Sequence, residues 1–172
     1  MLHVVLFEPE IPQNTGNIAR TCAATNTALD LVHPLGFSIS DKAVRHAGLD
    51  YWKDVHITEY DSIQDFLAKH KDDRLYFYST KARFVYDEVE YPQDKDCYII
   101  FGKESAGIPE EVLLEHPETT VRIPMWGQIR SLNLSNSVAI GVYEYYRQRG
   151  FAEFSKLGTL HRHSWEEGKW SK

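Results

Sequence analysis

The chain has 172 residues, of which 42% are hydrophobic and 13% aromatic, so it can bury the core of one compact domain and is not a disordered chain. Its formal net charge of -6 argues against a surface that binds nucleic acid everywhere. A local basic face stays open, although scattered solvated charges are the simpler interpretation. Its candidates are Arg20, Lys42, Arg45, Lys81, Arg83, Arg122 and Arg130.

No apolar run reaches the roughly 18 residues that a membrane span needs, so we expect no membrane contact. The opening segment MLHVVLFEPE has no basic n-region, and Glu8 soon interrupts it, which favours a strand over a signal peptide. The two cysteines, Cys22 and Cys97, are far apart and give neither a disulfide framework nor a zinc spacing. This cysteine usage predicts a cytoplasmic protein.

Apolar runs of strand length alternate with helical patterns along the chain. Strands are predicted over residues 2–7, 29–34, 54–60, 74–80, 97–102 and 120–125. Helices are predicted over residues 14–26, 40–48, 61–70, 109–116 and 132–149. We expect Asn14 or Thr15 to cap the first of these helices, Asp61 with Gln64 to cap the third, and Pro109 to lie in the first turn of the fourth. The alternation predicts an α/β fold, a parallel sheet with helices on both faces.

The regular pattern ends near Phe151. We therefore predict one domain over residues 1–151 and an appended, partly mobile tail over residues 152–172. Trp165 and Trp170 are expected to anchor this tail by packing. The polar segment 81–96 is predicted as an excursion between two strands.

Ligands of open parallel sheets bind at the carboxyl ends of the strands, so the segments that follow the strands are informative. These segments are EPEIPQNTGNIAR, KARF, GKESAGIPEE and WGQIRSLNLSN, and three of the four are rich in Gly, Ser, Asn and Arg. The glycines of GKESAG let backbone approach a ligand, but the segment fits neither a phosphate-binding loop nor a nucleophile elbow. No G-x-G-x-x-G is present, and the eight histidines lack ligand spacing, so we predict no metal.

Three separated segments resemble the signature motifs of the SPOUT class of RNA methyltransferases. They are NTGNIAR at 14–20, FGKESAGIP at 101–109 and IPMWGQIRSLNLSNSVAIGVYE at 123–144. With EPEIPQNTGNIAR and DKAVRHAGLDYW, the chain is most similar to the tRNA wobble-nucleotide 2′-O-methyltransferases, which act on cytidine or modified uridine. The resemblance runs from Met1 to about Phe151. It implies a SPOUT fold with a C-terminal trefoil knot, built from GKESAG and WGQIRSLNLSN, that holds S-adenosylmethionine.

The resemblance also implies site residues. The cofactor would contact Tyr78, Ser79, Gly102, Ile123, Ser131 and Leu132, where Tyr78 replaces an aliphatic residue of close relatives. The catalytic positions would be Arg20, Glu104, Ser131 and Asn133. A guanidinium stays protonated in proteins, so we expect Arg20 to grip a phosphate and stabilise alkoxide charge rather than act as a base. Glu104 has two open roles, orienting the reacting groups or bracing the knot.

The partners implied are tRNA and a second copy of the chain. The homodimer would pack the first and last helices together, and each site would borrow residues from both chains. Arg20, Lys42, Arg45 and His46 would contact the tRNA, and phosphate contacts of this kind depend strongly on salt.

Two alternatives stay open. One is ribose 2′-O-methylation of another RNA such as rRNA, which the lack of an added N-terminal RNA-binding domain makes less favourable. The other is a non-catalytic knotted RNA-binding module. The presence of Arg20, Glu104 and the segment 131–133 argues against that module.

Overall fold

A computed structural model describes residues 1–39 and 51–167 of the chain. The predicted helix over 40–48 lies outside the described residues. So do three of the predicted RNA contacts, Lys42, Arg45 and His46, and the tail residue Trp170.

The described residues form one sheet of seven strands in the order β3-β2-β1-β6-β4-β7-β5. All neighbouring strands are parallel, which confirms the predicted sheet. Buried apolar residues fill the central strands almost without a break, as parallel strands covered on both faces require. The strands are β1 (Leu2–Phe7), β2 (Ala28–Val32), β3 (Ile57–Tyr60), β4 (Arg74–Tyr78), β5 (Phe84–Val85), β6 (Cys97–Phe101) and β7 (Thr120–Arg122).

Four α-helices accompany these strands in the described parts of the chain. They are α1 (Pro12–Thr25), α2 (Ile63–Lys69), α3 (Glu110–Glu115) and α4 (Leu134–Gln148). Short 3-10 helices occupy Trp52–Asp54 and Trp165–Glu167. The predicted excursion over 81–96 contains the edge strand β5, which sequence periodicity did not show because only two residues pair.

The predicted helix caps need correction. Helix α1 begins at Pro12, whose fixed φ suits a first helical position, and its N-cap Ile11 makes no side-chain bond, so Asn14 and Thr15 are not caps. Helix α2 is capped by Ser62, which accepts a hydrogen bond from the backbone N–H of Asp65, rather than by Asp61. In α3, Pro109 is the N-cap and lies just before the first turn.

Two layers of helices cover the sheet, one on each face, as predicted. Helices α1 and α4 pack on one face, where Ile18 and Val138 join Leu6 and Ile99 in one buried cluster. Helices α2 and α3 pack on the other face, where Phe66 and Leu113 belong to a cluster with Val5, Phe77 and Ile100. Alternate residues of each strand feed the two clusters, so the sheet is buried on both sides.

The chain beyond α4 is mostly exposed in its described part. The ring of Phe154 packs against Tyr146, with centroids 4.7 Å apart, and against Phe151. Trp165 is 65% exposed, so the predicted anchoring role of this tryptophan is wrong and Phe154 holds the start of the tail instead. The division into a domain over 1–151 and a tail over 152–172 stays a prediction.

Candidate active site

A cavity of about 480 Å³ lies at the carboxyl ends of β1, β4, β6 and β7. This is the edge of the sheet at which the sequence predicted a ligand site. The loop after each of these strands contributes to its wall. Eight predicted site residues line it: Tyr78, Ser79, Gly102, Glu104, Ile123, Ser131, Leu132 and Asn133. Their functional roles stay predictions, but the structure brings them to one place.

The loop after β6, residues 102–107, closes on itself. Lys103 and Gly107 form an antiparallel bridge in which the N–H of Gly107 donates to the Lys103 carbonyl at 2.8 Å. A Cβ at Gly102 would lie 2.0 Å from the carbonyl carbon of Gly107, closer than any real contact. Gly107 has a φ of +71°, which favours glycine. The two glycines are therefore needed for the loop to close.

Glu104 ties this loop to the start of α1. Its carboxylate accepts hydrogen bonds from the backbone N–H groups of Glu10, at 2.8 Å, and Ile11, at 3.2 Å. Glu10 and Ile11 directly precede Pro12, the first residue of α1, so the carboxylate lies at the positive end of the helix, where a negative charge is favourable. The Asn14 side-chain amide also donates to Glu104, at 3.1 Å. These bonds support the bracing role that the sequence left open for Glu104.

A reciprocal tie runs from loop 102–107 to Glu10. The backbone N–H and the hydroxyl of Ser105 both donate to the Glu10 carboxylate, each at 2.9 Å. The side-chain hydrogen bond from Ser105 is the main cause that lowers the pKa of Glu10 below its ordinary value of 4.5. Lys103 adds an ion pair to Glu8, at 2.9 Å, in the same region. Three carboxylates thus bind the loops after β1 and β6 together.

Asn14 extends this network to the third motif. The amide of Asn133 donates to the Asn14 side-chain oxygen at 3.0 Å, so Glu104, Asn14 and Asn133 form a continuous chain of hydrogen bonds. The Asn133 oxygen also accepts from the N–H and hydroxyl of Ser135 at the start of α4. Asn133 therefore serves both as the cap of α4 and as a link to α1.

Sequence reasoning missed the role of Asn14, which was expected only as a helix cap. It is 6% exposed and lies four residues before the buried Ile18, on the apolar side of α1. A side chain with this much hydrogen-bonding capacity on a buried helix face is itself a signal of a polar network. Met125 and Ser137 also line the cavity and were not predicted.

The ring of Tyr78 packs in the hydrophobic core. The ring stacks on Phe101, with centroids 4.7 Å apart, and its hydroxyl lies 2.7 Å from the hydroxyl of Tyr91. Burial raises the pKa of Tyr78 well above its ordinary value. A Cβ at Gly141 of α4 would lie 3.0 Å from the Cζ of Tyr78. The missing side chain at Gly141 therefore makes room for the ring of Tyr78.

Arg20 is the one predicted catalytic residue that does not line the cavity of its own chain. It is exposed on α1, and its guanidinium lies over the ring of Tyr51, 5.1 Å from the centroid. It lies six positions after Asn14 on the helix, which corresponds to about 9 Å along the axis and about 240° around it. The helix therefore directs Arg20 away from the network that Asn14 joins.

Some cations near the cavity form ion pairs within the described residues and one does not. Lys81 and Lys103 pair with Glu110 and Glu8, at 2.8 and 2.9 Å. Arg130 forms no ion pair within residues 1–39 and 51–167.

Within the same residues, no cluster of three or more His, Cys, Asp or Glu side chains is arranged to hold a metal ion. No helix of this described part combines the length and the apolar character that crossing a membrane requires.

Residues 1–143 match the SpoU rRNA methylase family. The chain belongs to this family and is a SPOUT-class RNA methyltransferase, as the three motifs indicate. Its relatives point to one branch of the class. The tRNA (cytidine(34)-2′-O)-methyltransferase of Escherichia coli (strain K12) is 45% identical over 152 residues, which cover 88% of this chain and 96% of that protein.

Solved structures agree with this branch. A structure that concerns the 2-OH methylation of C/U34 on tRNA has a TM-score of 0.82 at 44% identity and covers 88% of this chain and 97% of its own. The crystal structure of a Bacillus anthracis protein considered to be an RNA methyltransferase has a TM-score of 0.84 at 47% identity, with coverage of 91% and 100%. The similarity to the wobble-nucleotide branch is confirmed.

Proposed function

We propose that this enzyme transfers the methyl group of S-adenosylmethionine to the ribose 2′-hydroxyl of nucleotide 34 of tRNA, a cytidine or a modified uridine. The observation that carries the proposal is the chain of hydrogen bonds from Glu104 through Asn14 to Asn133. It closes the three motif segments around one cavity. The activity of the Escherichia coli relative, which is similar over nearly its whole length, supports the same substrate.

The cavity residues fit S-adenosylmethionine. Ile108, Ile123 and Leu132 provide apolar wall for an adenine, and Ser79 and Ser131 provide hydroxyls for its polar groups. The cavity volume falls within the roughly 300–1,000 Å³ that is usual for small-molecule sites. When bound, the cofactor supplies a methyl group activated by a sulfonium. We also propose that segments 102–107 and 126–136 form the trefoil knot that the resemblance implies.

The acceptor hydroxyl must be aligned with the methyl group and must lose its proton. In a single chain, Glu104 is occupied by its own hydrogen bonds and Arg20 lies outside the cavity. We therefore propose that Arg20 acts in the cavity of a second copy, where it grips a phosphate and stabilises developing alkoxide charge. The homodimer would pair α1 and α4. Tyr143 of α4 is 48% exposed in the single chain, so its ring is available for this contact.

Lys42, Arg45 and His46 remain the proposed further tRNA contacts, with Arg20. We also propose a cytoplasmic location, which a tRNA substrate supports. Because phosphate contacts release counterions, we expect tRNA affinity to fall steeply as salt rises.

The test measures transfer of radiolabelled methyl from S-adenosylmethionine to anticodon stem-loops with C34 or U34, beside matched RNAs that carry a 2′-deoxyribose at position 34. The proposal predicts label only in RNAs with the 2′-hydroxyl. Binding of the cofactor without any transfer would indicate the non-catalytic module instead.

A variant tests the role of Arg20. Arg20→Ala should abolish turnover while cofactor binding and dimerisation stay near normal. The control is Lys71→Ala, an exposed cation before β4 at the opposite edge of the sheet, which should keep full activity. Unchanged turnover in Arg20→Ala would overturn the assigned role.

A further inference from the structure

The outer part of the loop between β7 and α4 carries an aromatic side chain that the mechanism above does not use. Trp126 is 95% exposed and makes no ring contact within the described part of the chain. Ile129, three residues on, is 65% exposed. Together the two side chains present exposed apolar surface on one loop, and a tryptophan gains much from burial when a partner covers it.

The position of this loop identifies the partner. Ile123 and Met125 line the cavity on one side of Trp126, and Ser131 and Leu132 line it on the other. Gly127, with a φ of +67°, lets the backbone turn between these two stretches. Segment 126–130 is therefore the outer part of a loop whose two ends both face the proposed methyl donor. A substrate that reaches the cavity must pass close to it.

The chemistry of this segment fits an unpaired nucleotide. The segment Trp126–Arg130 contains an aromatic ring and one cation and no carboxylate, although the whole chain has a net charge of -6. Arg130 is exposed and forms no ion pair within the described residues, so it is free to contact a phosphate. A stacking ring beside a free cation is the usual combination in sites for single-stranded nucleic acid. These features favour RNA over a second protein surface.

We infer that Trp126 stacks on the nucleobase of the nucleotide that is methylated. The inference rests on the proposed function, because the acceptor oxygen is on C2′ and the base is on the adjacent C1′. A base next to an acceptor hydroxyl at the cavity mouth lies within reach of the loop. Stacking uses the face of the base rather than its edge, so it is tolerant of base identity. Trp126 thus serves cytidine and uridine alike and positions the ribose for transfer.

The first measurement is steady-state methylation of C34 and U34 stem-loops. Trp126→Ala should lower kcat/KM for both RNAs by about tenfold, within the range that loss of one base–aromatic stack produces. The KM for S-adenosylmethionine should stay unchanged, and Trp126→Phe should recover most of the loss. The matched control is Trp165→Ala, the other described tryptophan with high exposure, which should behave like the parent enzyme.

A stem-loop with an abasic ribose at position 34 identifies the stacked base. The parent enzyme should methylate it as slowly as Trp126→Ala methylates intact RNA, and Trp126→Ala should show no further loss on it. With the abasic site moved to position 35, the loss caused by Trp126→Ala should remain. An equal loss on intact and abasic-34 RNA would overturn the inference.

Two other results are informative. If sedimentation shows that Trp126→Ala converts a dimer to a monomer, a second copy covers the ring and the inference is wrong. If the parent enzyme methylates neither stem-loop, the proposed function fails and the inference fails with it. An active parent enzyme with an equally active Trp126→Ala variant would overturn the inference alone.

Discussion

Two of the loops that line the candidate site differ in how they are held. Loop 102–107 is fixed by its own backbone bridge, by Glu104 at the start of α1 and by the Glu10 carboxylate on Ser105. In loop 123–132, within the described residues, no side chain forms a hydrogen bond or ion pair, and residues 126–132 are all exposed.

This difference suggests that the two loops have different roles in binding. The braced loop can hold a small cofactor in one geometry, because its conformation is fixed before the ligand binds. The open loop can adjust to a large and variable RNA, and segments of this kind come from the less stable parts of a fold.

The largest expected effect is at Gly102. Gly102→Ala places a Cβ 2.0 Å from backbone, so loop 102–107 must open, and we expect a loss of about 3 kcal/mol in the free energy of unfolding. The check is urea denaturation. Gly158→Ala is the matched control, since nothing lies within 4 Å of its Cβ, and it should leave the midpoint unchanged. A stable Gly102→Ala protein would show that the loop is not braced as described.

A smaller loss is expected at Glu104. Glu104→Ala removes the acceptor for two backbone N–H groups and for Asn14, and we expect a loss of about 2 kcal/mol. Cofactor affinity should fall with it, because the wall of the cavity loosens. The free energy of unfolding of Glu104→Gln, which keeps one acceptor oxygen, should lie between those of the parent protein and Glu104→Ala. If Glu104→Gln keeps full stability and cofactor affinity but loses turnover, the carboxylate has a catalytic role instead.

Substitution in the open loop should hardly affect folding. Trp126→Ala should change the free energy of unfolding by less than about 0.5 kcal/mol, as is usual for exposed positions. Its effect should be confined to RNA-dependent kinetics. A clear drop in the urea midpoint would mean that the loop contributes to the fold and that the contrast is overstated.

The smallest effect concerns pH. The folded pKa of Glu10 lies below 4.5, so its tie to Ser105 is at full strength above that value and is lost as pH falls through the folded pKa. Hydrogen exchange of loop 102–107 should therefore rise in acid, relative to the intrinsic rate. Loop 123–132 contains no carboxylate and should show no matching change. In Glu10→Gln this part of the pH dependence should disappear.

The structural features that could be predicted from the sequence are those that depend on local patterns. Continuous apolar runs identified the main strands, and their alternation with helices identified the parallel sheet. Boundaries failed where competing signals were adjacent, as at Asp61 and Ser62, either of which can cap a helix. Strand β5 was missed because its pairing is short and comes from tertiary context.

Contacts between distant residues could not be predicted from these patterns. The bond between Asn14 and Asn133 joins residues 119 positions apart, and the fit of Tyr78 against Gly141 depends on how α4 lies on the sheet. The lining residues were predicted through the resemblance and not through periodicity. The position of Arg20 could be predicted in part, because helical geometry places it on a different side of the helix from Asn14.

The most direct test of the proposed activity is mass-spectrometric mapping of methyl groups on a tRNA pool treated with purified enzyme and S-adenosylmethionine. We expect a single new methyl group on the ribose of nucleotide 34, in tRNAs with cytidine or uridine there. Methyl groups on a base, on another nucleotide or only on rRNA would contradict it.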